Sequence, residues 1–266
     1  MLQAHSYLWH YLWVAPNFLL LLLCFLSRKR GLWKQFPAFF AFALFSSLGQ
    51  FALYIADVVP SVSADNFWRV DWATLLIEGP LKFVLIGEVF AHIFGSYTSV
   101  VRLGRFLIRA VGVLLVLTAA VAAAYAPKDS LIGIISGAHL LDQTIYLIES
   151  GLLLFIFLFA AYFGLKPTRP VFGIALGLAI SACVHLATWA IAANGGLPAS
   201  RRVVLDFVNM AAHHLCVLIW FYYLLVPAKT PSKPKDPPAG PPAPPSHKHE
   251  EDLDVWNREL EKLVQR

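Results

Sequence analysis

Glu78 and Lys82 stand four residues apart in an otherwise apolar stretch, and Asp142, Glu149 and Asp206 recur in two later ones. Side chains at i,i+4 share one side of a helix, and Glu before Lys is the favourable order for an ion pair. The balance is uneven, however. Lys82 is the one Lys or Arg inside these runs, against Glu78, Glu88, Glu149 and, nearer the ends, Asp142 and Asp206. Surplus carboxylates in an apolar setting have to be protonated, hydrogen-bonded, paired with protonated His, or matched by a bound cation. The chemistry indicated is binding of a proton, a cation or an amine-bearing small ligand, with Lys82 as the place for any anionic group. Tyr146, Asn209 and His213 fall at helical spacing from these carboxylates and complete the candidate ligand-binding set. The competing reading is a membrane scaffold, in which the same groups serve only as interhelical hydrogen bonds worth about 0.6–2 kcal/mol each.

The elements that must position these residues follow from composition. The 266-residue chain is 58% hydrophobic and 14% charged, with mean hydropathy +0.65, whereas soluble domains carry about 45–50% apolar and about 25% charged residues. An ordinary soluble globule is excluded. A spanning helix needs about 20 mostly apolar residues. Candidates lie at Tyr7–Leu26, Phe36–Ile55, Trp72–Phe94, Phe106–Tyr125, Leu140–Gly164, Val171–Ala193 and Val203–Val226. The predicted fold is therefore all-α, a polytopic membrane bundle of seven transmembrane helices over residues 1–226. Gly133 and Gly137 are read as interrupting a short segment ahead of the fifth span. Cys24, Cys183 and Cys216 all lie in apolar runs, so a disulfide scaffold is not expected.

Lys and Arg mark cytoplasmic loops. Odd-numbered loops hold nine of them before the tail is counted and even-numbered loops four. This places the N-terminus outside and the C-terminus in the cytoplasm, in an inner or plasma membrane. No basic residue precedes the first apolar run, so that run is expected to stay as a span rather than act as a cleaved signal.

On the third span Thr74, Glu78, Lys82, Glu88 and His92 fall within an arc of about 120°. His139, Asp142, Gln143, Tyr146, Glu149 and Ser150 do so on the fifth, and Asp206, Asn209 and His213 share a face on the seventh, with His214 turned aside. The sixth adds His185 and Thr188, while the first, second and fourth have essentially no ionisable groups in their cores. Three polar faces imply a shared interior, and Glu78, about 9 Å beyond Trp72 along the axis, sets it in the extracytoplasmic half.

Named chemistries can be tested against these residues. A retinal Schiff base of the microbial rhodopsin kind needs a lysine on the last span, which has none. His185, His213 and either Glu78 or Asp206 resemble the zinc donors of the alkaline ceramidase and adiponectin-receptor families, which implies a metal-dependent intramembrane hydrolase as the alternative. The pattern departs from those families, because the last span has adjacent His213 and His214 in place of His-x-x-x-His. Neighbouring positions point about 100° apart and do not easily share one ion. Bis-His haem ligation through His139, His185 and His213 or His214 has no supporting spacing. No cofactor is predicted, zinc and haem remaining as alternatives. Gly173 and Gly177 form a Gly-x-x-x-Gly suited to close helix packing.

Residues 227–249 contain nine of the 17 prolines and read as an extended linker. Residues 250–266 read as an amphipathic helix, with Leu253, Trp256, Leu260 and Leu263 on one face and an acidic start opposite a basic end. About four turns are marginal alone, so this helix is expected to need a partner: a cytoplasmic protein, a second copy, or the underside of the bundle. The lipid bilayer is the other expected partner, and no nucleic acid is.

Overall fold

In a computed structural model, the structure describes residues 5–95, 131–193, 199–227 and 253–258, together with isolated positions between 97 and 117. Six long helices are described: α1 (Tyr7–Lys29), α2 (Pro37–Val58), α3 (Ala64–Phe94), α4 (Leu131–Tyr162), α5 (Arg169–Ala193) and α6 (Ala199–Leu225). Among the described residues there is no strand, and the protein is an all-helical membrane bundle. Five helices are long and apolar enough to cross a membrane, by length and composition: α1, α2, and stretches of α4, α5 and α6. α3 is long enough but carries Glu78, Lys82 and Glu88 within one membrane thickness. The predicted fourth span, Phe106–Tyr125, lies largely outside the described residues, as do the linker beyond Pro227 and most of the tail.

Helix ends follow local chemistry. The Ser6 hydroxyl accepts the Trp9 N–H at 3.3 Å to open α1, and Arg28 and Lys29 close it, complementing the carboxyl-end partial charge. Gly31 then takes φ +72°, a left-handed conformation that glycine adopts without penalty, and turns the chain toward α2. α3 begins eight residues before the predicted span. Ser63 accepts the Asn66 N–H at 3.3 Å, and Asp65 pairs with Arg69 at 2.8 Å, so a polar turn is stable where hydropathy indicates a loop. α4 is likewise continuous from Leu131. Gly133 and Gly137 do not interrupt it, because a helical glycine costs only about 1 kcal/mol each relative to Ala.

The helices close a ring. α1 packs on α2, α2 on α3, α3 on α4, α4 on α5, α5 on α6, and α6 returns to α1, with α3 also reaching α5. One end of the ring is basic, carrying Arg28, Lys29, Arg30, Lys34, Lys166 and Arg169; the other carries Asp57, Asp65, Asp71 and Asp206. Arg30 donates to the Leu225 carbonyl at the basic end, and Arg169 donates to that of Tyr222 at 3.4 Å. The interior nearer this end is dry. Leu20, Leu23, Phe39, Ile86, Leu153, Ile156 and Ile174 are fully or almost fully buried, and Trp220 lies edge-on to Phe39 at 5.3 Å. Outward-facing Phe18, Leu48, Leu147, Leu154 and Leu158 are all more than half exposed, the surface a lipid-facing bundle requires.

Close helix approaches rest on small residues. A Cβ at Gly177 would stand 2.2 Å from Trp220 Nε1, and one at Gly173 would stand 2.2 Å from Tyr223 Cβ, so the Gly-x-x-x-Gly does serve α5–α6 packing. Within residues 253–258 Leu253 is buried, whereas Trp256 is 55% exposed and does not share its burial as the common-face reading expected.

Gly177→Ala should therefore overpack the α5–α6 seam and cost about 1–3 kcal/mol. Gly151→Ala, where a Cβ meets nothing within 4 Å, should be neutral or stabilising by up to about 1 kcal/mol. Thermal unfolding in detergent distinguishes the two, and equal effects would refute the packing account.

Candidate functional site

The side chains that meet inside the ring come first from α3. Glu78 and Lys82 lie one turn apart on its inner face, and Lys82 Nζ stands 3.9 Å from Glu78 Oε1. Glu149 of α4 approaches from the opposite wall, with its Oε2 at 3.6 Å from the same ammonium. Gly79 packs against Ile145 beside these charges, where a Cβ would stand 2.8 Å from Ile145 Cδ1. Tyr146, one turn before Glu149, places its ring 4.0 Å below Lys82 Nζ in a cation–π contact. His185 of α5 stacks on the other face of the phenol, with centroids 4.2 Å apart and planes 14° from parallel.

Lys82 is 6% exposed and Glu149 is 0% exposed. Neither carboxylate is at normal hydrogen-bonding distance from the ammonium, and both Glu149 oxygens have no hydrogen-bond partner. Glu78 additionally accepts from the Ser46 hydroxyl at 3.4 Å. One ammonium thus faces two carboxylates, a formal surplus of one negative charge in a low-dielectric interior.

Three cavities surround the cluster, and His185 lines all of them. The central one, about 160 Å³, takes walls from all six described helices, including Asn17, Gln50, Glu78, Glu149, Asn209 and His213. A second, about 290 Å³, lies among α2, α3 and α4 and includes Asp71 and Asp142. A third, about 530 Å³, lies toward the acidic end and includes Asp142, Arg202, Asp206 and Asn209. The Thr188 hydroxyl, 2.9 Å from the His185 carbonyl and 3.0 Å from Asn209 Oδ1, ties α5 to α6 between the central and third cavities.

The predicted residues separate by position. Glu78, Lys82, Tyr146, Glu149, Asn209 and His213 line the central cavity, while Asp142 and Asp206 line the others. His214 turns away and meets the Tyr11 ring at 5.8 Å. Glu88 leaves the set of surplus carboxylates. Its oxygens accept the Ala38 and Phe39 N–H groups, each at 3.1 Å, so it caps α2 from the neighbouring helix. Among the described residues no three His, Cys, Asp or Glu side chains form a metal-ligating group, and His185, His213 and Glu78 do not converge. Lys82 and Tyr146 stand between His185 and Glu78.

Sequence reasoning missed the contributions of α1 and α2. Asn17, 2% exposed, donates from Nδ2 to the Trp13 carbonyl at 2.7 Å; Gln50 accepts from Trp13 Nε1 at 3.2 Å. A lone Asn within a Leu-rich span and the Ser46-Ser47…Gln50 pattern on the second are the signals that would have found them. No protein-family model, curated protein or solved structure matches the chain.

Removing one member of a buried charge group leaves its partners uncompensated. Lys82→Met should cost about 3–5 kcal/mol, and adding Glu149→Gln should recover part of that loss. A double-mutant cycle by thermal unfolding that finds the two substitutions additive would refute the coupling.

Proposed function

We propose that the chain is a seven-span protein of a plasma or inner membrane that admits a small positively charged ligand, an inorganic cation or a proton to the cavities around Lys82 and Glu149. It acts as a receptor-like protein or a carrier. The observation that carries this reading is the single buried ammonium shared by two carboxylates at a cavity wall. A cation or proton entering there neutralises the surplus, whereas an anion adds to it. Asp71 and Asp142 in the second cavity extend the same preference, and in the third Asp142 and Asp206 outnumber Arg202.

Chain direction supports seven spans. α3 finishes at the basic end and α4 starts at the other, so the chain between Phe94 and Leu131 has to return across the bundle, where Phe106–Tyr125 is predicted to span. The basic end faces the cytoplasm by the positive-inside rule, which opens the acidic cavities to the outside. The tail beyond the bundle is an attachment element for a cytoplasmic protein or a second copy, a reading supported by Trp256 and Val255, which are 55% and 50% exposed.

Ser61 and Gln35 are exposed in turns at opposite ends. In intact cells a membrane-impermeant maleimide should label Ser61→Cys, and should label Gln35→Cys only after permeabilisation; the reverse pattern would invert the topology. For binding, at least one small monovalent cation, inorganic or organic, should raise the melting temperature of purified protein at constant ionic strength, and anions of similar size should not. Glu149→Gln should remove the effect and Glu88→Gln, at the α2 cap, should retain it. If no cation shifts the melting curve and all carboxylate replacements merely lower it alike, the polar groups are structural.

A further inference from the structure

Several donors on the wall of the central cavity are engaged, while some of its buried acceptors are not. Trp13 Nε1 donates to Gln50 Oε1 and Trp220 Nε1 donates to the Ile174 carbonyl at 3.3 Å. Asn17 Nδ2 donates to the Trp13 carbonyl, which fixes the orientation of that amide. His185 Nδ1 lies 2.9 Å from the Ser181 carbonyl, which can only accept, so that nitrogen is the protonated one. Lys82 is committed to two carboxylates and a phenol face. Against these, Glu149 Oε1 and Asn17 Oδ1 are buried without a hydrogen-bond partner, and Glu149 Oε2 has only the Lys82 ammonium at 3.6 Å. Buried acceptors left unmatched cost free energy that a donor-bearing ligand recovers.

The rest of the wall is aromatic and aliphatic: Trp13, Phe42, Leu178 and Trp220. Those surfaces accept a cation's carbon body and favour positive charge over their ring faces. A cavity of about 150 Å³ accommodates benzene, so the central cavity, about 160 Å³, has room for a molecule of about six heavy atoms.

We infer that the central cavity binds a small organic ammonium, its N–H groups donating to Glu149 and Asn17 and its hydrocarbon body lying against Trp13, Phe42 and Trp220. This rests on the cation-binding reading above and narrows it. A sodium ion supplies no hydrogen-bond donor and leaves the aromatic wall unused; a carboxylate supplies neither donor nor charge. With the ammonium bound, two cations face two carboxylates and the formal charge of the cluster is zero.

The test is the melting-temperature shift of the purified full-length protein with butylammonium, tetrabutylammonium and sodium chlorides and with butyrate, at constant ionic strength. Butylammonium should stabilise saturably, and the other three should not at the same concentration. Glu149→Gln and Asn17→Leu should each weaken the butylammonium effect roughly tenfold or more, with Glu88→Gln unchanged. If a variant fails to fold, the ligand series on the native protein still decides. Sodium acting as well as butylammonium would overturn the ammonium inference and leave the cation reading standing. Tetrabutylammonium acting as well would overturn the size limit and with it the central cavity as the site. Stabilisation by butyrate alone, or by none of the four, would overturn both readings.

Discussion

An ammonium withdrawn from water, held between Glu78 and Glu149 and over the face of Tyr146, is the interaction on which the bundle's interior depends. Burying a charge costs several kcal/mol even after relaxation, and only close partners offset it. Those partners come from two helices, so α3 and α4 have to meet in one register, with Gly79 packed against Ile145 at that level. The distances of 3.6 and 3.9 Å are long for charge-assisted hydrogen bonds. The cluster is one positive charge short of neutral and is not saturated in hydrogen bonding, which is the condition a cation-binding site has to meet.

The two halves of the bundle divide the work. Toward the basic end, Phe39, Trp220 and the aliphatic core fill the ring, and Glu88 caps α2 from α3 so that the start of that helix is satisfied without solvent. Toward the acidic end the ring loosens into the three cavities that share His185. α3 and α4, at about 46 and 48 Å by their 31 and 32 residues, exceed a hydrocarbon core of about 30 Å. The excess of α3 at the acidic end, with Asp65, Arg69 and Asp71, is polar for that reason.

How much of this was legible in the sequence depended on the rarity of each signal. Ionisable groups in apolar helices are expensive, so Glu78, Lys82 and Glu149 stood out, and helical periodicity alone put them on inward faces. Asn17, Ser46 and Gln50 did not, since a neutral polar side chain in a span is common and its facing depends on neighbours that a single helix does not encode. Glu88 looked like one more surplus carboxylate because its role depends on α2 ending opposite it, a matter of register between helices. The predicted span start at Leu140 matches the apolar stretch of α4, whereas α3 begins ahead of its predicted span for a different reason: hydropathy marks where a helix enters lipid, and capping by Ser63 and the Asp65–Arg69 pair decide where it begins.

The central claim is a negatively biased chamber reached from one side of the membrane, and Met210 offers a direct probe of it. This residue lines the central cavity and is half-buried. With Met210→Cys in intact cells, the rates of modification by small impermeant thiosulfonates of opposite charge can be compared. The account predicts modification from outside, faster for the cationic reagent than for the anionic one by about tenfold or more, as a buried unit charge at close range requires. Equal rates, faster anionic modification, or reaction from the cytoplasmic side alone would contradict it.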